Sequence, residues 1–170
     1  MTQRRMTFRH NEEEREVEGA RPVGQMQEVS PRQQRFVKCL RCWMEAPDYQ
    51  VFIFSLAIPD LGKAKAQRYV RACEAFMSNL AVSATRPIAR HGVQCPCLGQ
   101  DEAVLLSVLH HAGIGDRFGA SVQAARLVRQ DRLNPFVDAA EDLSFAMSGV
   151  ALTPNQHAAS PEKPANVPLH

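Results

Sequence analysis

Residues 61–83 read LGKAKAQRYVRACEAFMSNLAVS, and the spacing inside this stretch decides the fold class. Tyr69, Val70, Cys73, Phe76, Met77 and Leu80 recur every three or four residues and share one side of a helix. Lys63, Lys65, Arg68 and Arg71 occupy the other sides. An apolar stripe of this length has to be covered, and the flanking sequence supplies further helices to cover it.

Upstream, Ser30-Pro31 is a helix start, a capping hydroxyl followed by proline where its missing N–H costs nothing. Phe36, Val37, Leu40, Trp43 and Met44 then share one face, with Arg35, Lys38 and Arg41 away from it, and Pro47 closes the helix. Asp48 is placed to cap Tyr49–Ile58. That run is apolar all round, and its length and helical surroundings favour a helix over a strand. Pro59-Asp60 is expected to restart the chain into Leu61–Ser83. Downstream, Thr85–Gly99 holds two prolines, two glycines and no period, and reads as a loop.

Three shorter helices follow. Gln100–Ala112 buries Val104, Leu105, Val108 and Leu109 and stops at Gly113 and Gly115. Asp116–Arg129 is expected to turn Phe118, Val122, Ala125 and Val128 inward, with Gly119, Ala120 and Ala124 permitting close approach. Asn134-Pro135 starts the last helix, faced by Phe136, Ala140, Leu143 and Met147. The expected fold is all-α, a compact bundle of five or six helices over residues 30–152. A disordered N-terminal segment, 1–29, and a disordered proline-rich tail, 153–170, are expected to flank it.

Composition agrees. The 170 residues are 45% apolar but only 6% aromatic, so the core has to be built from Leu, Val, Ala and Met. The net charge of +2 implies neither a nucleic-acid nor a membrane partner by itself. Its distribution says more. Residues 30–90 carry ten Lys/Arg against four Asp/Glu, and residues 91–152 carry four against seven, so the halves differ in sign. Either they attract each other inside the fold, or a basic face is left for an acidic partner. No run of about 18 apolar residues predicts a membrane span. The first 29 residues lack the apolar run of a secretory signal, and their glutamates argue against a transit peptide. The five cysteines are therefore expected to be reduced thiols in a cytoplasm.

Chemistry is concentrated in one place, His91-Gly-Val-Gln-Cys95-Pro-Cys97-Leu-Gly-Gln-Asp101-Glu102. Two thiols one residue apart, four residues after an imidazole, give a turn that can present soft ligands to one ion. A structural zinc site takes four ligands, so Cys39 or Cys42, three apart on the first helix, or Asp101 would complete the set. Two other readings stay open. The thiols beside a helix N-terminus are poised for redox use, because its positive end favours thiolate. Or they are small apolar residues in a tight turn, and Asp101-Glu102 is simply first-turn acid. Lys63, Lys65, Arg68 and Arg71, with Arg32, Arg35, Lys38 and Arg41, are candidates for a phosphate-binding surface or for a solvated face. No nucleophile elbow, phosphate-cradling glycine loop or paired-carboxylate arrangement is readable.

The segments Leu40-Arg41-x-Trp43, Cys95-Pro-Cys97-Leu98-Gly99-x-Asp101-Glu102 and Leu127-Val128-Arg129-x-Asp131 resemble small helical proteins of alphaproteobacteria, over about residues 30–150. The resemblance carries no function. It implies a bacterial cytoplasmic setting and makes the Cys-Pro-Cys loop a feature of the fold. The functional expectation is a cytoplasmic regulatory or adaptor protein that binds another protein, with the loop as a candidate metal or redox element. The alternative is a transcriptional regulator that binds nucleic acid through the basic helices. An enzyme is not expected, and the oligomeric state is not legible.

Overall fold

The structure is a computed structural model that describes residues 18–45 and 48–148. The expected tail, 153–170, lies outside the described residues, as do residues 1–17 and Pro47. The fold is all-α as expected, with one two-stranded sheet added. Its helices are α1 (Pro31–Glu45), α2 (Tyr49–Leu61), α3 (Lys63–Ser83), α4 (Gln100–Gly113), α5 (Arg117–Ala124) and α6 (Leu133–Ser148).

Helix α3 is the spine. Tyr69, Cys73, Phe76 and Met77 are fully buried and Leu80 nearly so, as their period predicts. Its most extensive packing is against α6, and α1 and α2 lie along it as well. Phe76 joins the layers. Its ring sits 5.7 Å from Phe36 of α1 in an edge-on contact and 4.9 Å from Phe136 of α6. Ser30 caps α1 as its position suggests: Gln33 N–H donates to Ser30 Oγ at 3.4 Å, and Ser30 N–H donates to Gln33 Oε1 at 2.9 Å.

Helix α5 stops at Ala124, where a helix to Arg129 is expected, and two further boundaries differ. Helix α2 runs through Pro59 and ends at Gly62, whose φ of 73° only glycine adopts without strain. Proline falls in the last turn, where the ladder is ending anyway. The second difference is at the N-terminal side. Residues 18–29, expected to be disordered, belong to the folded part. Strand β1 (Pro22–Gln25) pairs antiparallel with β2 (Cys97–Gly99), with Gln25 opposite Cys97 and Gly24 opposite Leu98. Beyond the ladder, Met26 N–H donates to Pro96 O at 2.7 Å and Gln100 N–H to Arg21 O at 3.0 Å. The Cys-Pro-Cys loop is thus half of a sheet.

Gly19 shows how closely this segment is seated. A Cβ built there would stand 2.5 Å from Asp101 Oδ2 and 2.7 Å from its carboxyl carbon. Because Asp101 is fixed by other partners, it has no room to retreat. Gly19→Ala is therefore expected to destabilise the full chain by about 1–3 kcal/mol, read as a lower melting temperature. The same change at Gly92, which has open space around it, should be close to neutral.

Candidate functional site

The loop between α3 and β2 is built around one side chain, Arg41. Sequence places it off the apolar stripe of α1, as a member of a basic surface. The structure buries it completely, together with Glu102 of α4. Arg41 Nε donates to Glu102 Oε1 and Nη2 to Oε2, both at 2.7 Å. The remaining N–H groups go to loop carbonyls: Nη1 to Gly92 O at 3.1 Å and Cys95 O at 2.8 Å, and Nη2 to Cys97 O at 2.7 Å. All five guanidinium donors are used. Glu102 is satisfied equally. Besides the guanidinium it accepts from His91 N–H at 3.3 Å and from Gly99 N–H, the N-cap of α4, at 2.9 Å.

The neighbouring acid does the same on the other side. Asp101 is 2% exposed and takes Arg86 in a bidentate pair at 2.6 and 2.8 Å, plus Ala89 N–H at 2.9 Å. Successive residues of a helix point about 100° apart, so the pair Asp101-Glu102 grips the loop at two places. Both also lie in the first turn of α4, where negative charge is favoured. First-turn acid is thus only part of their role, and part of the charge contrast between the halves is spent in these two buried pairs.

The sequence-predicted ligands do not converge on one ion. Cys39 lies in the core, where the Tyr69 hydroxyl donates to its Sγ at 3.4 Å and Cys73 is alongside. Burial pushes the Tyr69 and Cys73 groups well up. Cys42 is buried separately, and burial raises its thiol to about 11, away from the thiolate a metal binds. Cys95 and Cys97 are brought together on the loop, partly exposed, and hydrogen bonding from the Cys95 side chain raises the Cys97 thiol. His91 packs against Gly99, and its Nε2 is buried with no protein partner. Among the described residues, no group of three or more His, Cys, Asp or Glu side chains is arranged to hold a metal. What the loop contributes to the fold is carbonyl groups, and its two cysteines stay partly exposed.

The basic set is divided as well. Arg35 is buried and pairs with Asp60, and Arg41 is spent on the loop. Lys63, Lys65, Arg68 and Arg71 remain exposed on the outer side of α3.

Helix α5 departs furthest from expectation. Ala120 and Ala124 are buried and face α4, whereas Phe118 is 81% exposed and Val122 49%. Close packing selects the small face of the helix, which turns the large apolar face to solvent. Ile114, in the turn before the helix, is 66% exposed as well. The helix is held in this rotation at its N-terminal end. Asp116 caps it, accepting Gly119 N–H at 2.8 Å and contacting His111 Nδ1 at 2.8 Å. Arg117 reaches α6 through Asp138 at 2.7 Å and Glu141 at 2.5 Å. The Gly119 N–H, and after it His111, hold Asp116 below the usual carboxylate range.

No protein-family model, curated protein or solved structure matches the chain.

Three outcomes follow for the side chains of this region. Arg41→Met and Glu102→Gln are each expected to cost about 3–5 kcal/mol in chemical denaturation, because each leaves buried polar groups without partners. Cys95→Ser with Cys97→Ser should stay within about 0.5 kcal/mol of the native chain, and in the folded protein a maleimide should label these two before Cys39 or Cys73. The Asp116 cap should be pH-dependent. Its carboxyl is depressed in the folded state, so its stabilisation is complete above the ordinary value of about 4 and is lost as pH falls through the folded value. Melting of an Asp116→Asn variant should accordingly fall below that of the native chain at neutral pH and converge with it in acid.

Proposed function

We propose that the protein is a regulatory or adaptor module that acts in a bacterial cytoplasm by binding another protein. The observation that carries this reading is the exposed pair Phe118 and Val122, four residues apart on α5, with Ile114 exposed in the turn that precedes it. Monomeric proteins seldom leave such side chains contiguous without a use, and an aromatic anchor with aliphatic neighbours is the composition of a binding hot spot. The helix is pinned by Asp116 and Arg117, so the pair is preorganised and little ordering entropy opposes binding. Arg126 follows Val122 by four residues, and the exposed Arg129 and Arg132 lie beyond it. These arginines favour a partner helix that is apolar on one face and acidic at one end. Among the described residues no helix is long and apolar enough to cross a membrane.

A second reading is favoured by the exposed cations of α3. Lys63, Lys65, Arg68 and Arg71 all lie on its solvent side and would follow a phosphate backbone. It is the weaker of the two, since Arg35 and Arg41 are withdrawn from that surface.

The two are separated by titration. A helical peptide with leucines at every third and fourth position and glutamates at one end should bind with micromolar affinity, about −8 kcal/mol. Phe118→Asp should weaken it at least about tenfold without lowering the melting temperature. Binding that survives Phe118→Asp would count against the pair. Association with duplex DNA that falls steeply with salt and vanishes on changing Lys65, Arg68 and Arg71 to Glu would favour the second reading.

A further inference from the structure

Helix α2 contains no charged residue from Tyr49 to Pro59, although it lies at the edge of the bundle. Its inner side is accounted for, since Ile53 and Ala57 are fully buried against α1 and α3, and Phe54 and Leu61 pack beside them. The outer side is apolar too. Val51 is 71% exposed, Phe52 and Ile58 are each 39% exposed, and Ser55 and Pro59 are exposed with them. Ser55 is the one polar residue of this outer face, and its hydroxyl already donates to Phe52 O at 2.7 Å. It can lose water without losing a hydrogen bond.

The pattern is symmetric about Ser55. Phe52 and Ile58 stand three residues away on either side, and Val51 and Pro59 four away. Outside this apolar patch the ends carry opposite net charge: Asp48, which makes no capping hydrogen bond, precedes the helix, and the exposed Lys63 and Lys65 follow it, the one acid at that end, Asp60, being paired with Arg35. A face that is symmetric in size and antisymmetric in charge is complementary to itself when turned end for end. That is what a twofold interface requires.

We infer that the protein forms a twofold dimer through antiparallel packing of α2 against α2 of a second copy. The axis passes beside Ser55, the small residue that lets the helices approach. Phe52 then meets Ile58 of the second copy, Val51 meets Pro59, and Asp48 lies against Lys63 in two equivalent ion pairs. The α5 pair is not used, so the dimer would offer its binding surface twice. This inference does not rest on the function proposed above.

Sedimentation of the full chain across a concentration series up to about 100 μM, suited to an interface at the small end of the range, should give a mass that rises from one chain to two. Ser55→Arg should give one chain at every concentration with an unchanged melting temperature, because residue 55 is exposed in the single chain. Ser55→Cys under mild oxidation by diamide should yield a disulfide between the two copies of position 55, identified by peptide mass, whereas Val82→Cys should not. A native chain that stays monomeric throughout, or a dimer that survives Ser55→Arg, would overturn the inference.

Discussion

The guanidinium of Arg41 is the constraint on which the arrangement of this protein depends. A long connection without regular structure would ordinarily leave its backbone carbonyls in water. Here those of Gly92, Cys95 and Cys97 converge on one buried cation. The cation is tolerable in the interior only because Glu102 neutralises it and every donor finds an acceptor. Such a pair adds less to net stability than its geometry suggests, since both charges lose their hydration. Its effect is to fix one loop conformation, because a loop that moved away would leave the buried guanidinium without three of its acceptors.

From that fixed loop the rest follows in order. The carbonyl of Pro96 and strand β2 present an edge on which residues 22–26 pair. Asp101, held at the start of the same helix, secures Arg86 and Ala89 and leaves room beside it only for Gly19. The loop is also tied at its beginning, where Thr85 N–H donates to Leu127 O at 2.9 Å. These contacts leave α5 and α2 at the outside, each with a large apolar face toward solvent. Stability and binding are thereby separated in space: the polar network lies within, and the apolar faces of α2 and α5 lie outside on an otherwise polar surface.

How much of this was legible depends on whether the signal is local. The stripe of α3 was, because period alone decides which side of an isolated amphipathic helix is covered. Arg41 was not, since its partner lies 61 residues away and a helical arginine off the apolar stripe reads as solvated. The one trace of it in sequence was the opposite charge of the two halves. On α5 the larger residues predict one inward face, that of Phe118 and Val122. Packing distance decided otherwise, in favour of Ala120 and Ala124. Strand β1, four residues containing Pro22 and Gly24, carries no periodic signal and exists only because β2 is there to pair with it.

Amide hydrogen exchange in an Arg41→Met variant tests the central claim most directly, because the N–H groups of His91 and Gly99 report on Glu102 itself. The account predicts that both amides, and those of the Cys97–Gly99 strand, lose most of their protection while the amides of α3 and α6 keep theirs. The loop would then be opening locally once its cation is gone. If His91 and Gly99 remain as protected as in the native chain, the loop is held by something other than Arg41 and the account is wrong.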